Sequence, residues 1–318
     1  MLPTDEKIVF LSTIDIKDSA FRITTEEKVD DLVKSFGNVG LVNLPILVPE
    51  AEKLNIVSGF RRVRAAACKG WEMIHARILP ESFPKRRCAE IAVTENTFQR
   101  QLNLIEISRC LLLLRKHLNP PESLSEIAAA LGLPAGQDIC QKILSLSLLP
   151  WRVQKSLLAN AIAFPTALAL TEYSRKDAVR LAGFFSTLQC GLNRQRELLS
   201  LISEICLSEE ISIGDILEVS EIQSAIENKD MDKNRKTRLV TDYLKKRRYP
   251  AISAAETHFT NQLEKLNLGN RMRLSAPKFF EGSTYEFTLR FDTLEELKEH
   301  CRKLDEAVKG PFLREILK

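Results

Sequence analysis

The sequence predicts an α+β multidomain chain: an α/β N-terminal domain, an all-helical middle domain and a small ββα domain at the C-terminal end. Three observations lead there. Up to residue 116, short apolar runs alternate with stretches whose apolar residues recur every three or four positions, so strands alternate with helices. After Asn119-Pro120-Pro121 that alternation stops, and residues 122–226 carry helical periodicity alone. Beyond Tyr249-Pro250, Tyr285, Phe287, Leu289 and Phe291 alternate with polar residues, the pattern of a half-buried strand, and one more helix follows. With 318 residues, 44% of them hydrophobic and 28% charged, the chain is long and apolar enough to bury its own cores.

Strands are expected at 8–11, 44–48 and 56–57. Thr24 followed by Glu27 fits a capping box, and Val29, Leu32, Val33 and Phe36 then give a helix with one buried face that Gly37 and Gly40 end. Further helices are expected at 59–68, 84–96 and 104–118. In the middle domain, Ser123 with Glu126 fits a second capping box. A small residue at Ala128, Gly132 four residues on, and then Ile139, Ile143 and Leu144 suit a helix-turn-helix, in which the alanine permits a close crossing and the glycine makes the turn. A plain helical hairpin would leave the same pattern. The second helix would present Gln137, Asp138, Gln141, Lys142 and Ser145. Near the end, strands at 271–274 and 285–291 precede a helix on which Leu294, Leu297, Cys301, Leu304 and Val308 repeat with the spacing of an a/d seam. The expected domains are therefore 1–118, 119–226, a basic linker at 227–256, and 257–318.

Several function classes fall away. No apolar run reaches the ~18 residues of a membrane span, and the longest are broken by Arg115 and Pro165. Asp5, Glu6 and Lys7 stand where a signal peptide would be apolar. The seven cysteines are scattered without a CxxC pair and the four histidines lie apart, which disfavours a zinc site or a disulfide framework and favours a cytoplasmic chain with reduced thiols.

Two segments carry chemistry. In Ser58-Gly59-Phe60-Arg61-Arg62-Val63-Arg64, a glycine after a strand lets backbone approach a ligand, and three arginines open a helix whose N-terminus already attracts anions. Arginine forks suit phosphate oxygens, although an arginine-rich surface helix would look the same. Glu95-Asn96, a carboxylate beside an amide, is what magnesium-assisted phosphate binding needs, or it is an ordinary turn or cap. Separately, residues 229–248 hold nine basic and three acidic residues in a chain whose net charge is only +4. Such an excess attracts phosphates or forms a solvated helix face.

The order of these boxes is informative. The Gly-Leu-Val-Asn-Leu-Pro-Ile run at 40–46, the Gly-Phe-Arg-Arg-Val-Arg-Ala-Ala run at 59–66 and the Glu-Asn…Leu-Asn-Leu-Ile-Glu run at 95–106 resemble the N-terminal domain of the ParB family of chromosome and plasmid partition proteins. The resemblance extends through the helix-turn-helix to about residue 180, with an echo in the final ββα segment. It implies a ParB/sulfiredoxin-like fold that binds CTP with magnesium, hydrolyses it slowly and closes as a clamp on DNA. Carried over by position, Ser58, Gly59, Arg61, Arg62 and Arg64 would hold the triphosphate and Asn43 would lie near base or ribose. Glu95 and Asn96 would be catalytic, with Glu95 on the metal. The chain departs from the family at Phe60, where a glutamate is usual and where sulfiredoxins carry their cysteine.

The expectation is thus a sequence-specific DNA-binding partition protein, associated with the nucleoid. Gln137, Gln141, Lys142 and Ser145 would read DNA, and Lys245, Lys246, Arg247 and Arg248 would hold it non-specifically. The C-terminal module would form a homodimer, and a ParA-type ATPase is the implied partner. The alternatives are an enzyme of the same fold, a small-molecule kinase or a nuclease, and a transcriptional regulator that needs no nucleotide.

Overall fold

The computed structural model describes residues 2–119 and 121–317, so Pro120 of the expected boundary lies outside the described residues. The chain forms two compact units, Met1–Ser186 and Thr187–Lys318.

The first unit is built on four strands, β1 (Asp5–Phe10), β2 (Ile46–Glu50), β3 (Lys53–Ser58) and β4 (Met73–Ile78). They are ordered β1-β4-β2-β3, with β1/β4 and β2/β3 antiparallel and β2/β4 parallel. Period-two alternation puts successive β2 side chains on opposite faces. Leu47 points into one core with Ile56, Val63, Ala66 and Phe36, while Ile46 and Val48 point into another with Ala89, Ala92, Val93 and Leu111. Accordingly α1 (Asp30–Asn38) and α2 (Phe60–Cys68) cover one face, and α3 (Lys85–Thr97) and α4 (Leu104–Arg115) the other. Strand β4 escaped the sequence reading although Ile74 and Ala76 alternate into the core.

The capping box expected at Thr24 does not form. Helix α1 starts at Asp30 behind Val29 with no side-chain cap, and Thr24 Oγ1 instead accepts from the Glu26 amide at 3.1 Å. The reason is long-range: the Thr25 amide donates to Glu106 Oε1 at 3.0 Å, which ties this segment to α4. The rest of the unit is helical: α5 (Leu124–Ala130), α6 (Gln137–Ser145), α7 (Trp151–Leu158), α8 (Phe164–Ala169) and α9 (Arg175–Leu188), within which the two units divide. Ala128 is fully buried and Gly132 takes a φ of 77° in the turn between α5 and α6. Ser123 does occupy the cap of α5, but its hydroxyl bonds that of Ser125 at 2.8 Å and not the helix amides, so the second expected box is also absent.

The second unit begins with α10 (Leu192–Glu209), α11 (Ile213–Leu217) and α12 (Ser220–Glu227). Residues 227–256, expected as a basic linker, are instead largely helical: α13 (Lys233–Arg248) followed by α14 (Pro250–Leu266). Thr237, Val240, Thr241 and Leu244 form a buried stripe among the charges, and Asp232 caps the helix by accepting from the Arg235 amide at 2.9 Å. That stripe packs α13 on α10 and α12, so the helical region continues past residue 226. The C-terminal hairpin, β5 (Met272–Ser275) with β6 (Glu286–Leu289), is antiparallel and is followed by α15 (Leu294–Lys309) and α16 (Pro311–Ile316). Its core is larger than two strands and one helix would give. Met272, Leu274 and Ala307 close against Phe259 and Leu263 of α14 and Leu313 and Ile316 of α16.

Candidate functional site

Strand β3 ends at Ser58 and the chain turns into α2 through Gly59, which has φ 97° and caps the helix. A Cβ at Gly59 would lie 2.8 Å from Pro45 Cβ and 2.9 Å from Pro45 Cα, so the turn requires glycine for space as well as for conformation. The first amides of α2 have no intrahelical acceptor and leave a positive end. It opens on a cleft of about 260 Å³ lined by Asn43, Ser58, Gly59, Phe60, Arg61, Arg62, Glu95, Asn96, Gln99 and Arg100, with Ile23, Thr24 and Leu32. All but one of the expected nucleotide-site residues therefore meet in one place. The exception is Arg64, which faces solvent outside this cleft because α2 turns its side chain away.

The cations are held in different ways. Arg61 donates through Nη2 to the Lys28 carbonyl at 2.8 Å, and Arg62 through Nη1 to the carbonyls of Asn43 and Leu44 at 3.0 and 2.9 Å. Neutral acceptors orient a guanidinium without cancelling its charge. Burial holds the Arg62 pKa below the usual arginine value, with Glu95 opposing the shift and Arg77 adding to it. Glu95 lies 3.9 Å from Arg62, accepts from Ser58 Oγ at 3.4 Å and from Gln99 Nε2 at 3.2 Å, and is the only carboxylate on the cleft wall among the described residues. Asn96 donates to the Ala92 carbonyl and offers its Oδ1 to Arg100 Nη2 at 3.4 Å.

Gln99 and Arg100 complete the wall that the motif reading left unassigned. Their signal was the i, i+4 spacing from Glu95 and Asn96, which puts all four on one helix-end face. Arg100 is anchored by Glu106, with bonds of 2.7 and 3.0 Å to a carboxylate that is 1% exposed. Burial alone would raise the Glu106 pKa, but Arg100 together with the Thr25 and Asn103 amides outweighs it and holds the group below the ordinary carboxylate value. Asn103 and Glu106 also form the reciprocal capping box of α4.

Among the described residues no group of three or more His, Cys, Asp or Glu could hold a metal unaided. One carboxylate, Glu95, beside one amide, Asn96, does suit magnesium, which binds through one or two carboxylates, substrate phosphates and retained waters.

The helix-turn-helix candidates divide. Gln137, Gln141 and Lys142 stand exposed on α6, while Cys140, Ile143 and Leu144 bury its other face. Ser145 is half-buried and its hydroxyl donates back to the Lys142 carbonyl at 2.8 Å. In the second unit, Lys245 pairs with Glu197 at 2.7 Å, Arg247 with Glu209 at 2.6 Å and Arg248 with Glu204 at 3.0 Å. Lys246 is exposed with no side-chain partner among the described residues.

Residues 4–97 match the ParB N-terminal domain, a span that holds Ser58, Gly59, Arg61, Arg62, Glu95 and Asn96. Similar in sequence are nucleoid occlusion proteins, one from Bacillus cereus (strain B4264), 29% identical over 154 residues, or 48% of this chain and 51% of that protein. Another, from Bacillus cytotoxicus, is 31% identical over the same length and shares. The chain spans about half the length of the curated relatives it matches. Among solved structures, C-terminally truncated ParB from Caulobacter crescentus complexed to the centromeric parS site shares 21% identity, covering 59% of this chain and 96% of that one, with a TM-score of 0.35. No described helix is long and apolar enough to cross a membrane.

Proposed function

We propose, from the premise that residues 4–97 of this ParB-like chain are a ParB N-terminal domain, that the protein is a nucleotide-dependent DNA-binding partition or nucleoid-occlusion factor. The observation that carries the reading is the cleft at the head of α2. There Arg61 and Arg62 keep their charge against neutral carbonyls while Glu95 and Asn96 stand opposite. Two guanidiniums held by neutral carbonyls, free helix amides and one carboxylate fit a nucleoside triphosphate with its magnesium, with Arg100 on the wall already paired to Glu106. CTP is the nucleotide that the resemblance of the three boxes favours. Asn43 at the cleft edge would face base or ribose, and Glu95 with Asn96 would handle the metal in slow hydrolysis.

Specific DNA contact falls to the exposed face of α6, where Gln137 and Gln141 can pair with adenine edges and Lys142 with phosphate or guanine. Two copies joined through the C-terminal unit would read a two-fold site. The nucleotide state would close the pair as a clamp, and a ParA-type ATPase is the partner proposed for movement.

The test is calorimetry of the full chain with each of the four nucleoside triphosphates, with and without magnesium and DNA from around its own gene. One triphosphate should bind, CTP above the others, and Arg61→Ala or Arg62→Ala should abolish it while specific DNA binding survives. Gln141→Ala should cost about 1–3 kcal/mol on the cognate site alone. Unchanged nucleotide affinity in both arginine variants would sink the assignment.

A further inference from the structure

The first unit holds a second and larger cavity, about 350 Å³, whose lining includes Arg22, Glu27, Arg109, Lys116 and Trp151. It shares no lining residue with the cleft at the head of α2. Its cations are poorly compensated. Arg109, half-buried on α4, donates through Nη1 to the carbonyls of Ile23 and Thr24 at 3.2 and 2.7 Å, which are neutral acceptors. Its guanidinium also lies 5.6 Å from the Trp151 ring centre, and Lys155 reaches the same ring at 5.6 Å. Arg22 meets Glu27 only at 3.8 Å, and its buried Nε has no acceptor among the described residues.

Burial and then the nearby Arg22 charge push the Arg109 pKa down, while Glu106 and Glu27 oppose that shift. Two guanidiniums that repel one another beside an open cavity are stabilised when an oxyanion bridges them. A buried donor without an acceptor costs stability until a ligand supplies one. Glu27, the one carboxylate among the described lining residues, cannot balance Arg22, Arg109 and Lys116 together.

We propose that this cavity is a second, separate anion site that binds a phosphate group between Arg22 and Arg109, with Lys116 at its mouth and Trp151 as its wall. The phosphate comes from a free phosphate ligand or from a nucleic-acid backbone, and the chemistry of capture is the same for both.

Trp151 and Trp71 are the two tryptophans of the chain, so in a Trp71→Phe background the fluorescence reports on the site. Arg61→Ala is added to silence the cleft at the head of α2. Titrating this protein with inorganic phosphate and, separately, with a short duplex should give a saturable change in Trp151 emission in at least one arm. Arg22→Gln and Lys116→Gln, made singly because neither holds the backbone as Arg109 does, should weaken that response about tenfold, roughly 1.4 kcal/mol. A response to phosphate identifies a free ligand as the source. A response to duplex alone, with the salt slope falling by about one in Lys116→Gln, identifies the nucleic-acid backbone. No saturable response in either arm overturns the proposal, as does a response that both variants leave intact.

Discussion

Gly59→Ala tests both the turn into α2 and the site it creates. At φ 97° an alanine is strained by about 1–2 kcal/mol. Its Cβ would also stand 2.8 and 2.9 Å from Pro45 Cβ and Cα, ring and backbone atoms that cannot swing away, and overpacking of this kind adds about 1–3 kcal/mol. The expected total is about 2–5 kcal/mol. Part of it appears as lost stability. The rest appears as lost affinity, because relief of the clash must move the first turn of α2, with Arg61 and Arg62, away from Asn43 and Leu44. Gly70→Ala is the control: its φ is 78°, but nothing lies within 4 Å of the added Cβ, so it carries the strain without the clash. Urea unfolding of the two variants separates the contributions, and calorimetry with triphosphate reads the site. If Gly59→Ala unfolds at the same midpoint as Gly70→Ala and binds nucleotide like the parent, the reasoning about Pro45 is refuted.

Three further outcomes are expected. The carboxyl of Glu106 is held below the ordinary value of 4.5, so the stability it contributes is fully present above that pH and is lost as pH falls through the folded-state value. Glu106→Gln should flatten this acid limb in pH-dependent unfolding, lower stability at neutral pH and loosen triphosphate binding by freeing Arg100. An unaltered acid limb would show that another group governs it. Lys246→Gln should lower the slope of log affinity for random DNA against log salt by about one while leaving stability alone. Arg247→Gln should leave that slope nearly unchanged, because Glu209 already offsets its charge; equal behaviour of the two in a gel-shift series counts against this division. Leu294 and Val308 on α15 are 61% and 52% exposed, so Leu294→Glu with Val308→Glu should leave the monomer fold intact but yield monomers in light scattering. A monomeric parent at micromolar concentration would remove the proposed dimer.

Much of the first unit was legible in the sequence because its signals are local. The helix positions of Leu32, Val33 and Phe36, the glycine at 59 and the alanine–glycine pair at 128 and 132 each report on their own neighbourhood. What was missed depends on distant partners. Thr24 and Glu27 have the spacing of a capping box, yet Glu106 claims the Thr25 amide from 81 residues away and α1 starts later. The cleft shows the same division. Gly59, Arg62 and Glu95 stood out from motif spacing, whereas Arg100 gained its place only because a buried carboxylate on the next helix holds it. Arg64 belonged to the motif, but the helical period turns it outward.

The basic stretch at 229–248 shows why a charge count along a sequence window misjudges a surface. The nine basic residues are real, but α13 lies against α10, whose Glu197, Glu204 and Glu209 come from more than thirty residues upstream. Such surface pairs are screened by water, too weak to say that they hold the helices together. Their effect on the field is larger in consequence: a cation with a carboxylate at 2.6–3.0 Å contributes almost nothing at the distance of an approaching phosphate. The buried stripe Thr237–Val240–Thr241–Leu244 set the orientation of α13, and that orientation decided which cations met acids and which stayed outward. On this helix the cations without a carboxylate beside them among the described residues include the exposed Lys246 and Arg235, together with Lys233 and Lys236 on the neutral oxygens of Gln189 and Ile226, so the positive field is smaller than the whole run suggests.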